Sequence, residues 1–148
     1  MKKDLTLTLR PATIADALML LEWRNDEETR RQSVNMDKVL LETHLPWLEK
    51  VIANPNRKLM IAELEGTPVG TVRLDIEEPR SELSWTIAPK MRGKGFGTLM
   101  VIEAVKYFNK PLKIIIKPGN LASFKVAEKA GFKKINETAD MTNWIHDK

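Results

Sequence analysis

The sequence predicts a single α/β domain built on a mixed sheet, and three patterns carry that expectation. Leu5-Thr6-Leu7-Thr8-Leu9 alternates apolar and polar residues strictly, the period of a half-buried strand. Residues 38–53 place Val39, Leu40, Leu45, Leu48 and Ile52 at helical spacing, and the pattern beyond Asn54-Pro55-Asn56 turns extended. Lys113-Ile114-Ile115-Ile116-Lys117 is a short unbroken apolar run, the mark of a strand covered on both faces.

The elements follow in order. Arg10-Pro11 stops the first strand, and Thr13 with Asp16 reads as an N-cap with a carboxylate in the first turn. The helix behind it is expected to bury Ala17, Leu18, Leu20 and Leu21 and to end near Trp23-Arg24-Asn25. After the helix over 38–53 come strands at 58–64, 68–76 and 82–88, separated by turns at Glu65-Gly66 and Pro79-Arg80. A helix over 95–108 presents Gly97, Val101, Ala104, Val105 and Phe108 on one face. The 113–117 strand, a helix from about 120 to 129 capped by Ala130-Gly131, and weaker strands near 132–135 and 141–145 complete the chain. No linker or repeat divides residues 1–148, so one domain is expected.

Composition narrows the function classes. With 148 residues, 43% hydrophobic and 30% charged, the chain is an ordinary globular one. No apolar run approaches the roughly 20 residues of a membrane span. Met1-Lys2-Lys3 has no apolar stretch behind it, so no leader and a cytoplasmic location are expected. The absence of cysteine excludes disulfides, thiolate metal sites and a cysteine nucleophile. His44 and His146 find no third ligand at metal spacing, so no metal is expected. The net charge of +4 suits an anionic small molecule. The basic pairs Arg30-Arg31 and Lys133-Lys134 lack interleaved aromatics and read as surface charge, which argues against a nucleic-acid partner.

The chemistry concentrates at Arg92-Gly93-Lys94-Gly95-Phe96-Gly97-Thr98, between an expected strand and an expected helix. Three glycines at alternate positions let a phosphate approach the backbone. First-turn amides and the helix dipole favour its charge, Arg92 and Lys94 add full charges, and Thr98 can donate a hydroxyl. Gly97-Thr98 lacks the lysine of a P-loop. The Gly-x-Gly-x-Gly spacing, behind three strands, also fits a dinucleotide fold poorly.

Arg92-x-x-Gly95-x-Gly97, preceded by Trp85-Thr86-Ile87-Ala88-Pro89 and followed by Asn120-x-x-Ser123-x-x-x-Ala127-Glu128-Lys129-x-Gly131-Phe132, resembles the GNAT N-acetyltransferase superfamily. Element order agrees along the whole chain. The resemblance implies a largely antiparallel mixed sheet of six to seven strands, splayed in the middle, with about four helices on its two faces. It implies acetyl-CoA as donor and an amine as acceptor, and it is compatible with a homodimer. The backbone of Trp85, Thr86 and Ile87 would pair with the pantetheine arm as an added strand does. The amides of residues 93–98 would hold the diphosphate, and Asn120 and Ser123 would contact the arm. An N-cap role for Asn120 stands beside this one.

Without cysteine, transfer uses another nucleophile or passes directly from donor to acceptor; on the direct attack that the resemblance implies, the amine must first lose a proton. Glu82, on the strand expected to hold the thioester, is the foremost base, with a solvated strand-start carboxylate as its plain alternative. Glu63, Asp75 and Glu77 are weaker candidates. Many relatives carry a tyrosine acid where this chain has Ala127. Tyr107 lies about 18 Å along the other helix at 1.5 Å per residue and reads as a packing residue; Ser123 is placed either to protonate the departing thiolate or only to hydrogen-bond to it, and the low pKa of a thiol also allows release without a dedicated acid. The Asn120-x-x-Ser123 pattern is similar to Rim-type protein N-terminal acetyltransferases, while Glu22-Trp23-Arg24-Asn25-Asp26 is similar to aminosugar acetyltransferases. Trp23, Arg24 and Asn25 are the candidate acceptor residues, by ring stacking and phosphate pairing; packing and a surface salt bridge are the alternative. Two other readings stay open: a non-catalytic module sensing CoA or an amine, and a nucleotide- or nucleic-acid-binding protein.

Overall fold

The structure, a computed structural model, describes residues 6–32 and 36–147. Leu5 of the expected first strand lies outside them, as does the Met1-Lys2-Lys3 start. Seven strands form one sheet: β1 (Leu7–Pro11), β2 (Arg57–Leu64), β3 (Thr67–Asp75), β4 (Ser81–Ile87), β5 (Leu112–Ile116), β6 (Lys133–Glu137) and β7 (Thr142–His146), in the order β1-β2-β3-β4-β5-β7-β6. Among the described residues five α-helices accompany them: α1 (Ala17–Asn25), α2 (Glu27–Arg31), α3 (Leu41–Ala53), α4 (Phe96–Phe108) and α5 (Leu121–Lys129).

The strands β1 to β4 run as an antiparallel meander, and β5, β7 and β6 form a second antiparallel block. Only Ser81↔Leu112 and Glu82↔Lys113 join the two blocks, in parallel. Beyond that point β4 and β5 part, which makes the splay the resemblance implied. At the closed end Arg80 pairs with Asp147 at 2.8 Å and Lys113 with Glu77 at 3.4 Å.

Period-two alternation along the strands builds a core on each face. On β2, Ala62 joins Val72, Leu74, Leu83, Met100, Val101 and Ala104 under α4, while its neighbour Ile61 joins Leu20, Trp23 and Leu48 under α1 and α3. The first turn forms as expected around Asp16, whose carboxylate accepts from the Thr13 backbone N–H at 2.8 Å and takes both Arg10 terminal nitrogens at 2.9 Å.

Several expected core positions are corrected. Leu18 is 69% exposed, and Leu40 and Ile52 lie on the outer side of their segment; Leu48 is buried as expected, and Val51 is buried beside it. Two hydrophobic stripes fit those segments by periodicity, and only packing selects between them. The β5 strand is not covered on both faces: Leu112, Ile114 and Ile116 are buried, while Ile115 is 43% exposed. The helix α2 was not anticipated, since its Glu-Glu-Thr-Arg-Arg sequence buries nothing.

Candidate active site

The parting of β4 from β5 leaves the β4 residues beyond Glu82 without a strand partner on that side. Trp85, Thr86 and Ile87 lie on this stretch, half-buried. Trp85 and Ile87 pack toward the α4 core, whereas Glu82, Ser84 and Thr86 belong to the opposite face. There they stand in rows with Asp75, Arg73 and Thr71 of β3.

The glycine-rich segment leads directly from the end of β4 into α4. Gly93 has φ +76° and Gly95 φ +81°, and a Cβ added to either would meet nothing within 4 Å. This left-handed backbone is what glycine supplies cheaply, and the space beside it is open. Gly95 is the N-cap of α4, and no side chain caps that end. The segment therefore presents an uncapped first turn to open space, a fit for a diphosphate. Gly97 serves a different purpose: a Cβ there would sit 3.2 Å from Ile87 Cδ1 and 3.4 Å from Val126 Cγ2, so it sets the close packing of α4 on β4 and α5. Lys94 is exposed, and Phe96 and Thr98 are half-buried.

Arg92 does not extend freely into this space. Its guanidinium pairs with the Asp26 carboxylate and donates to Thr29 Oγ1 at 2.8 Å. Asp26 also accepts from the Thr29 backbone N–H and so caps α2. From the far side, Lys117 Nζ, just past β5, donates to the Arg31 carbonyl at 3.0 Å. The short helix α2 is thus held from both sides of the splay, by residues following β4 and β5.

Asn120 caps α5, its side chain accepting from the Ser123 backbone N–H at 3.2 Å. The N-cap role is therefore present, and the same geometry sets Ser123 in the first turn of α5. Ala127 is fully buried, so no side-chain hydroxyl stands at the position of the relatives' tyrosine. Tyr107 is 56% exposed near the far end of α4, edge-on to Phe108.

Glu82 occupies the last residue pair joining β4 to β5. Burial first, then the neighbouring Asp75 and Glu77, push its carboxyl above the ordinary value, against the attraction of Lys113 and Arg73. The other candidate bases are engaged: Glu63 with Arg10, Asp75 with Arg57 and Arg73, and Glu77 with Lys113. A carboxyl raised by desolvation beside a cleft is a fitting proton acceptor at neutral pH.

On the Glu82 face a cavity of about 400 Å³ opens between the sheet and the helices α1 and α3. Its floor is Thr71, Arg73, Ser84 and Thr86, and its roof includes Trp23, Arg24, Trp47 and His44. Asn25 does not line it; its amide both donates to the Val39 carbonyl and accepts from the Val39 N–H at 2.7 Å, fastening the segment before α3. Sequence reasoning weighed His44 only as a metal ligand and gave it no place in the acceptor site; it is 3% exposed with Nε2 unpartnered. Its ring bonds the Ala17 backbone, and burial holds its pKa below the ordinary value, so it is neutral at pH 7. A lone histidine in a helical stripe carries no signal of this, nor do Thr71 and Arg73 within a strand.

Residues 6–133 match the family model described as the acetyltransferase (GNAT) domain. No curated protein sequence matches significantly. Among solved structures, a spermidine N-acetyltransferase from Vibrio cholerae in complex with CoA and spermine superposes with a TM-score of 0.84 at 19% identity, over 95% of this chain and 94% of that one. An aminoglycoside acetyltransferase in complex with coenzyme A and kanamycin gives 0.80 at 23% identity, over 96% and 95%. A ribosomal-protein-alanine N-acetyltransferase from Brucella melitensis gives 0.78 at 25%, over 95% and 99%.

Proposed function

The chain belongs to the GNAT acetyltransferase family, and on that premise we propose that it moves the acetyl group of acetyl-CoA directly to a primary amine, on an aminosugar-like small molecule or a protein N-terminus. One observation carries the placement of the donor: the unpaired β4 edge runs straight into the uncapped, glycine-opened first turn of α4. An extended pantetheine arm beside Trp85, Thr86 and Ile87 would meet backbone groups that lack a strand partner, and the diphosphate would reach the amides of residues 93–98. Lys94 and Thr98 add a charge and a hydroxyl there. Arg92, engaged with Asp26 and Thr29, supports the site by fixing the loop.

The amine approaches from the cavity under α1 and α3. Glu82, directly or through one water, takes the proton that the amine must lose. No cysteine is present to relay the acetyl group, and on this reading attack is direct. Ser123, set by the Asn120 cap, is the hydroxyl near the departing sulfur. A thiol's ordinary pKa lies below that of an alkyl ammonium, so release is feasible without the tyrosine that Ala127 replaces.

That buried alanine supports a second reading, a family member that binds CoA or an amine without turnover. Thermal-shift measurements test the donor site: acetyl-CoA raises the melting temperature, and NAD, ATP and DNA leave it unchanged. No shift with millimolar acetyl-CoA would refute the donor assignment. CoA release across peptide N-termini, aminosugars and polyamines then separates an enzyme from a sensor.

A further inference from the structure

We propose that His44 selects the acceptor: its Nε2 receives a hydrogen bond from an O–H or N–H on a ring that carries the amine and lies among the tryptophans of the cavity under α1 and α3. This rests on the acetyltransferase reading above and narrows its acceptor.

Two observations on His44 point to a ligand. The imidazole is buried, only 3% exposed, and no donor meets Nε2. A buried polar atom without a partner costs free energy that the fold itself does not recover. His44 also lines the cavity, so a donor has a route to it from there.

The Ala17 backbone fixes which nitrogen is on offer. Its bond to the ring favours the protonated imidazole, so the ring donates and the Ala17 carbonyl accepts. With Nε2 the unpartnered nitrogen, Nδ1 makes that bond. A neutral imidazole that donates through one nitrogen accepts through the other. The group that satisfies it is therefore a donor, a hydroxyl or an N–H, and not an ether or a carbonyl. Arg73 on the cavity floor is already paired with Asp75, whereas the imidazole lone pair still lacks its donor.

Three of the chain's four tryptophans, Trp23, Trp47 and Trp85, line the same cavity. Their flat apolar faces suit a ring better than a flexible chain. Trp47 lies beside the imidazole, with ring centroids 5.4 Å apart and planes tilted by 30°. A ring laid against Trp47 is thus next to His44.

The test uses the full chain with acetyl-CoA saturating. Values of kcat and KM are measured for amines that differ by one ring hydroxyl: phenethylamine against tyramine and its meta isomer, cyclohexylamine against the aminocyclohexanols, and phenylalanyl-diglycine against tyrosyl-diglycine. In at least one set the hydroxylated member leads by about 10-fold or more in kcat/KM, mostly through KM, because its analogue leaves a buried acceptor unpaired. Two substitutions separate the lone pair from packing. His44→Asn keeps a donor for the Ala17 carbonyl but has no atom in place of Nε2, so the preference falls to about parity. His44→Gln reaches as far as Nε2 with an amide oxygen and retains part of the preference. The acetyl-CoA thermal shift shows that each variant is folded. The unaltered chain gives a further readout: with CoA bound, the Nε2 resonance in nitrogen NMR moves on adding the preferred hydroxylated amine and not on adding its analogue. Parity in every set, no turnover of any ring amine, an unmoved Nε2 resonance, a preference that survives His44→Asn, or equal loss in both variants overturns the proposal while the acetyltransferase reading stands. Absence of the acetyl-CoA shift in the unaltered protein overturns both.

Discussion

Gly70 lies on β3 opposite Ile87, behind the strand edge proposed to carry the donor. A Cβ at this position would sit 2.3 Å from the Thr86 carbonyl oxygen and 2.7 and 2.9 Å from Cε and Sδ of Met100. Met100 is flexible but fully buried, and the carbonyl belongs to the backbone of the neighbouring strand, so neither can yield without moving β4. Overpacking of this kind costs about 1–3 kcal/mol, and a backbone obstacle places Gly70→Ala near the upper figure. For a domain of this size, about 3 kcal/mol corresponds to a fall of about 6–12 °C in melting temperature. Because the displaced carbonyl is that of Thr86, acetyl-CoA affinity falls as well. The control is Gly66→Ala, where φ is +85° but nothing lies within 4 Å; conformational strain alone costs about 1–2 kcal/mol there and leaves affinity intact. Thermal denaturation with and without acetyl-CoA reads both quantities. A Gly70→Ala protein that melts within about 2 °C of the unaltered chain, or that binds acetyl-CoA equally well, would refute the packing argument.

Two further expectations concern charge. Replacing Glu82 by Gln reduces turnover at neutral pH by about 10²-fold if the carboxylate is the base. The same change raises the melting temperature: a carboxyl whose folded pKa is raised loses stability as pH climbs from its unfolded to its folded value, and glutamine escapes that loss. The stability gain should therefore vanish below the ordinary carboxylate range, and unchanged turnover at neutral pH would remove Glu82 from the mechanism. Arg92→Ala and Asp26→Asn are expected to weaken acetyl-CoA binding alike in calorimetric titration, since each breaks the bond that fixes the loop. Tighter binding in Asp26→Asn would mean instead that the freed guanidinium reaches the diphosphate itself.

The strands and the long helices were legible because their patterns are local. Alternation in Thr6 to Leu9 and the turn at Glu65-Gly66 read the same in sequence and in structure, within a residue or two. The parting of β4 from β5 was legible only through the family resemblance, since no periodicity in either strand encodes where pairing stops. Gly93, Gly95 and Gly97 stood out together, yet they do unlike things: two hold left-handed backbone and one admits close packing. The direction of Arg92 could not be read, because Asp26 and Thr29 meet it from more than sixty residues away. The acceptor cavity was least visible. Its walls come from α1, the segment before α3, α3 itself, β2, β3 and β4, so no contiguous motif marks it; Trp23 and Arg24 are found only through a family pattern, and His44 is weighed only as a metal ligand.

The two-pair junction at Ser81↔Leu112 and Glu82↔Lys113 has a consequence for the protein's lifetime in a cell. A sheet that ends its pairing partway along leaves hydrogen-bonding groups in its middle that only water or a visiting chain can satisfy. On the proposed placement, acetyl-CoA supplies that missing chain and finishes the architecture. The free protein then opens more often along this seam, and a protease samples the opening in proportion to its population. Degradation would accordingly slow when the donor is plentiful and quicken when it is scarce, so the abundance of the enzyme would follow the supply of its own donor without any dedicated regulator.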